Sequence, residues 1–410
     1  MCHLPRVQIG RASLALAFAF AIVCPSGEVA AGRHGSLAPT FGAAGVVISP
    51  IPRGASCDGI AFAPDGGFLV PIEDPSRDLV LRRYTRQGRL DRSYGADGMS
   101  AAVHGVEGHA AIAFQADGKV IVAEPTVDQQ HTLVARYGAD GALDAGFGQL
   151  GVVTLTFSEG VGVTQAAVFG DGTVVVADSA SAIHRLAPDG TVEGTVTGAG
   201  GVSSLISSVA FGPGDRTFIA GLDGPGILVA RLSPDLSPDA TFGGGLVAVA
   251  LTPSIRAPFL TLFSRADGGV FVGNLDPDLR PYLVSVGPDG DSAPPAALAV
   301  SPLGLGLQSD GSVVVAGQFQ QSFAQAGGHS INVLAVERLD ASLRRDDSFG
   351  KGGVVRVPGS HMLFLGVATT GDARIVVAAQ RPTPPLKCGP SCLRALRKRR
   401  HTLVLVRFRE

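Results

Sequence analysis

One short motif returns seven times along this chain, and that return limits the fold more than any other feature. Ala61-Phe62-Ala63-Pro64-Asp65-Gly66-Gly67-Phe68-Leu69-Val70 comes back as Ala113-Phe114-Gln115-Ala116-Asp117-Gly118-Lys119-Val120-Ile121-Val122. Further copies centre on Asp171-Gly172, Asp267-Gly268 and Asp310-Gly311, with degenerate ones at Phe211–Asp215 and Ala368–Asp372. The spacing is roughly 43 to 62 residues, within the range of propeller repeats. Each copy reads as a hairpin: an apolar strand, Asp-Gly, then a β-branched strand such as Thr173–Ala177. Asp-Gly predicts a type I′ turn, because both residues tolerate positive φ.

A second element follows each hairpin. Its fullest form is the strand Leu133–Tyr137, a turn at Asp140-Gly141, then Leu143-Asp144-Ala145-Gly146-Phe147-Gly148 and a strand at Gly151–Val153. Cognate strands stand at Leu79–Tyr84, Ile183–Leu186, Ile227–Leu232, Tyr282–Val286, Val333–Leu339 and Leu403–Phe408. Four short strands per unit, seven units and no helical periodicity predict an all-β fold, a single seven-bladed β-propeller over residues 32–410. The two ends also fit each other. After Leu403–Phe408 the repeat needs a Leu-Asp-x-x-Phe-Gly turn, and Leu37–Val47 supplies that piece. The N-terminal strand is therefore expected to join the last blade and close the ring, which removes an exposed strand edge.

These motifs resemble the delta-60 repeat family of bacterial propeller proteins over nearly all of residues 37–410. The paired pattern carries the resemblance: apolar-x-Asp-Gly-x-apolar, then Leu-Asp-x-x-Phe-Gly-x-x-Gly. The chain departs from it after Asp189-Gly190 and after Asp289-Gly290, where no Phe-Gly turn follows. The resemblance implies a fold and frequent export. It implies no defined reaction and no catalytic residues. Asp65, Asp117, Asp171, Asp267 and Asp310 read as turn residues. Phe41, Tyr94, Phe147, Phe242 and Phe349 share one repeat position and read as aromatics packed between sheets.

Arg6 and Arg11 precede the apolar run Ala12–Val23, and Val29-Ala30-Ala31 offers small residues beyond it. This predicts a signal peptide over residues 1–31, hence a secreted protein. The run is shorter than the roughly 20 residues of a membrane span. No later segment reads as a span either. Cys2 and Cys24 would leave with the signal, and export makes a disulfide permissible. Cys388 and Cys392 flank a tight turn and could close a small loop, leaving Cys57 apart; alternatively Cys57 pairs with one of them.

Composition narrows the function. Trp is absent, so the Trp-dependent WD, kelch and quinone-cofactor propellers fall away. A net charge of -2 provides no field for nucleic acid. The chain contains no nucleophile elbow, phosphate loop or EF-hand series. His104-x-x-Glu107-x-His109 matches no zinc motif and reads as a solvated loop.

Two sets of residues stand out from this background. The residue after each second hairpin strand is Ile72, Glu124, Asp178, Gly221, Asn274, Gly317 or Ala379. Glu124, Asp178 and Asn274 thus offer oxygen ligands on one face, which predicts a weakly bound Ca²⁺ and no other cofactor. An insertion at about 381–401 in the last blade carries Arg394, Arg397, Lys398, Arg399 and Arg400, a local anion patch. The expected function is an exported, monomeric, non-enzymatic binding or scaffold propeller. Its expected partner is an extracellular protein or an envelope polyanion. The competing expectation is a hydrolase or lyase with a metal-assisted site in the central funnel.

Overall fold

The computed structural model describes residues 35–409 apart from 58, 157–162, 179–181, 198–205, 224–225, 250–259, 277–279, 322–330, 358–361, 370–374 and 384–399. The described residues form seven antiparallel sheets, taken in chain order as blades 1 to 7. Blade 2 runs Ala111–Phe114, Val120–Pro125, His131–Tyr137 and Val152–Thr156, each strand bonded to the next. Blade 3 repeats this with Val163–Val168, Val174–Asp178, Ala182–Leu186 and Val192–Thr197. Blade 1 differs in its first strand, which is split into Ser56–Cys57 and Ala61–Phe62, both paired to Phe68–Glu73. First strands touch successively from blade 1 to blade 5 and from blade 6 to blade 7, so they form the inner ring. The architecture is the seven-bladed β-propeller that the repeat predicts.

The closure also matches the sequence. Val46–Pro50 is the outer strand of blade 7 and pairs antiparallel with Arg400–Phe408, Val46 opposite Val406 and Pro50 opposite Thr402. Gly35 N donates to Arg409 O at 2.9 Å, so the N-terminal segment tracks the end of the third strand.

Apolar packing is divided into seven clusters, one in each seam between neighbouring blades. A blade is therefore covered on both faces. Its second strand accordingly reads as a continuous apolar run rather than alternating. Phe68–Glu73 and Val120–Pro125 are buried at every position. Cys57 belongs to this packing, in the seam between blades 7 and 1. Cys388 and Cys392 lie outside the described residues.

Up-and-down strands put the connections on two faces. The hairpin face carries the turns from first to second and from third to fourth strand. The connector face carries the turns from second to third strand and the links between blades. On the hairpin face the Asp-Gly turns differ from the expected type I′. In the five clear copies only glycine has positive φ, from 79° at Gly66 to 88° at Gly268. Gly118 N donates to Gln115 O at 3.0 Å, and Gln115 N to Lys119 O at 2.8 Å. This is a type I turn followed by one left-handed glycine, a three-residue loop. The aspartate explains the preference. Its Oδ1 accepts the N–H two residues on, as from Gly67 to Asp65 and from Thr173 to Asp171, both at 2.8 Å. That local bond holds the aspartate at negative φ and leaves only the next residue to need glycine's freedom.

Candidate functional site

The described repeat residues converge in joints on the hairpin face. Phe41, Tyr94, Phe147, Phe242 and Phe349 are buried. Over each ring lies a third-strand guanidinium of the same blade: Arg407, Arg83, Arg136, Arg231 and Arg338, at 4.7–5.5 Å from the centroid. Four of them form an ion pair with the turn aspartate, with Nε to carboxylate distances of 3.1 Å for Arg83–Asp91, 2.8 Å for Arg136–Asp144, 2.9 Å for Arg231–Asp239 and 2.6 Å for Arg338–Asp346. In blade 7 Ala38 occupies the aspartate's place, and Arg407 reaches Thr40 Oγ1 at 3.3 Å.

The fork then crosses the seam. Arg231 Nη1 donates to Pro288 O and Arg407 Nη1 to Arg86 O, both at 2.7 Å. Arg136 and Arg185 donate likewise to Pro188 O and Pro234 O. The glycine after the aromatic adds a backbone bond across the same seams: Gly42 N to Gln87 O (3.0 Å), Gly148 N to Asp189 O (2.8 Å) and Gly243 N to Asp289 O (2.9 Å). Arginine suits this place because its planar fork can stack, pair and bridge at once.

Local electrostatics follow from these contacts. Burial alone would raise the Asp239 carboxyl, but Thr241, Arg216 and Arg231 together hold it well below the usual carboxylate range. Burial pushes the Tyr94 phenol up to about 12. Where the Phe-Gly turn is missing, other residues substitute. In blade 3 Arg185 pairs with Glu193 at 2.7 Å. In blade 5 Ser285 stands in the arginine's place, and Arg265 from the first turn lies 5.2 Å over Phe271.

Sequence reasoning found the aromatic, the aspartate and the glycine of this joint but missed the arginine. Its signal was available: Arg83-Tyr84, Arg136-Tyr137, Arg185-Leu186, Arg231-Leu232, Arg338-Leu339 and Arg407-Phe408 all stand at the end of a third strand.

The connector face holds the other predicted residues. Glu124, Asp178 and Asn274 share one register near the end of their second strands, and all three are buried. Side chains two apart on a strand share a face. Val120 and Val122 pack on Leu69, Leu81 and Tyr94 of blade 1, so Glu124 faces blade 1. Val174 and Val176 pack with Ile121 and Ala123 of blade 2, so Asp178 faces blade 2. Val270 and Val272 pack with Phe218 and Ile227 of blade 4, so Asn274 faces blade 4. The three side chains thus occupy three different seams. Among the described residues no group of three His, Cys, Asp or Glu is placed to hold a metal ion.

Asp178 instead meets a histidine. His184 Nε2 lies 3.5 Å from its Oδ2, and His184 Nδ1 lies 3.0 Å from Thr195 Oγ1. Elsewhere on this face His104 is exposed with Nδ1 2.8 Å from Asp78, and Arg77 bridges Glu73 (2.7 Å) and Glu107 (3.0 Å). Arg394, Arg397, Lys398 and Arg399 lie outside the described residues, and Arg400 opens the third strand of blade 7.

Fold and joints together define the class, a seven-bladed β-propeller built from one repeat. A family model described as a domain of unknown function (DUF5122) beta-propeller matches residues 115–147, from the first turn of blade 2 to its Phe-Gly aromatic. No curated protein matches the chain.

Proposed function

We propose that this is an exported binding or scaffold propeller of the delta-60 repeat kind, which engages its ligand through the connector face. One observation carries the reading. The described repeat side chains of the hairpin face are held in joints, whereas the second-to-third-strand turns run from two residues between Asp223 and Gly226 to sixteen between Thr383 and Arg400. The first-to-second-strand turns keep five residues in six blades, and loops varied on a rigid scaffold are where recognition resides. The longest turn brings Arg394, Arg397, Lys398 and Arg399 beside Arg400 in the sequence, so the proposed ligand is a polyanion. Export rests on the basic and apolar leader of residues 1–31.

Linear polyphosphate serves as the probe. Wild type should bind it, and more weakly as salt rises. Replacing the five cations by Gln should weaken binding at least about tenfold. Equal binding by both proteins would overturn the polyanion reading. Sequencing the protein recovered from culture medium should give an N-terminus near Gly32, and an intact Met1 would overturn the signal peptide.

A further inference from the structure

We propose that Thr195 is a base-activated hydroxyl that accepts acyl groups from activated carboxylic esters. This goes beyond the binding reading and does not depend on it. Thr195 is exposed on the outer strand of blade 3, directly opposite His184 on the third strand. His184 Nδ1 is 3.0 Å from the Thr195 hydroxyl, and its Nε2 is 3.5 Å from Asp178 Oδ2. His184 is 5 % exposed and Asp178 1 %. Ala182 N donates to Asp178 Oδ1 at 2.8 Å and fixes that carboxylate. Hydroxyl, imidazole and carboxylate stand in the order of a nucleophile, its base and the group that orients the base. With the proton on Nε2, on the side where Asp178 stands 3.5 Å away as a charge contact, Nδ1 presents its lone pair to the hydroxyl.

A cross-strand His–Thr bond can also be purely structural. Two features favour reactivity. Thr195 is exposed while its base is buried. The outer strand bonds to one neighbour only, so alternate N–H groups next to Thr195 point away from the blade. Such donors can stabilise the negative charge that develops on a carbonyl oxygen.

The step balances without a further reactant. Thr195 Oγ1 attacks the ester carbonyl carbon, and its proton passes to His184 Nδ1. The new Oγ–C bond forms, the ester C–O bond breaks, and the leaving oxygen takes the proton from the imidazole. The products are acyl-Thr195 and the free alcohol, with His184 neutral again. Asp178 acts as a positioning residue for the imidazole.

The full chain is treated with p-nitrophenyl acetate, following nitrophenol release and the mass of the peptide that contains Thr195. Acetyl should appear on Thr195 at least about 100-fold faster than background hydroxyl acetylation. Thr195→Ser should keep the reaction. Thr195→Val and His184→Gln should lose it, and Asp178→Asn should slow it, with partial recovery in Asp178→Glu. His184 and Asp178 are buried, so an unfolding midpoint accompanies each variant. Thr195→Val, at an exposed position, is expected to keep its midpoint, so its loss of nitrophenol release is not a folding effect. Acetyl found only on lysines, or unchanged acetylation of Thr195 in His184→Gln, would overturn the proposal.

Discussion

The first-to-second-strand turns of the hairpin face and the second-to-third-strand turns of the connector face obey opposite rules, although the same strands feed both. On the hairpin face the connection from first to second strand is five residues long in six blades and three in blade 4, residues 213–215. On the connector face the turns from second to third strand range from two to sixteen residues. The difference has a physical source. A first-to-second-strand turn closes on one aspartate and one left-handed glycine, so an inserted residue would break its Oδ1 bond and shift the hairpin register. The joint residues come instead from third-to-fourth-strand connections, which run from five residues (187–191) to eighteen (85–102). A connector-face turn needs only to return the chain to the third strand. The joints thus gather on the hairpin face, while the second-to-third-strand turns vary on the other.

The largest effect should come from the joint that also closes the ring. Deleting residues 35–48 removes the buried Phe41, the Gly42–Gln87 bond and most of the outer strand of blade 7. We expect loss of the cooperative unfolding transition in urea. A midpoint equal to wild type would show that the closure strand adds nothing. Next in size is Arg231→Ala. Arg231 joins Asp239, Gly268 O and Pro288 O beneath little solvent. Removing one partner of a buried pair costs about 3–5 kcal/mol, read as a lower denaturation midpoint.

A smaller effect is expected in acid. The folded-state pKa of Asp239 is depressed, so its contribution is present above the unfolded value of about 3.9 and is lost as pH falls toward the folded one. The stability gap between wild type and Asp239→Asn should therefore narrow steadily from pH 5 to pH 2. A gap independent of pH would dissociate the carboxylate from the joint. Smallest of all should be trimming residues 385–398 from the chain between Thr383 and Arg400, which we expect to shift stability by less than about 0.5 kcal/mol. A larger loss would end the contrast between the faces.

Much of this was legible beforehand because repetition multiplies a weak signal. A single Asp-Gly between apolar runs marks one hairpin, while seven fix a ring, and the complementary ends Leu37–Val47 and Leu403–Phe408 fix its closure. Turn type was misread because Asp-Gly suits two geometries, and the Oδ1 bond that chooses between them is invisible in sequence. Register put Glu124, Asp178 and Asn274 at one level but just past their second strands, whereas all three lie within them. It could not tell which seam each would enter, since that depends on the period-two facing of residues such as Val122 and Val176. His184 and Thr195 carry no local motif. They come together only because blade 3 pairs its third and fourth strands in one register.

The closure of blade 7 has a mechanical consequence. Residues 35 and 409 leave the ring at the same corner, bonded to each other. The closing ladder runs antiparallel from Val46–Val406 inward to Pro50–Thr402. Tension applied between those two ends would load the ladder at its first rung and peel it one bond at a time. The same tension applied along opposed strand ends would have to shear all the rungs together. The ring is thus a clasp that yields readily to a pull between residues 35 and 409, yet resists one that shears its closing strands past each other.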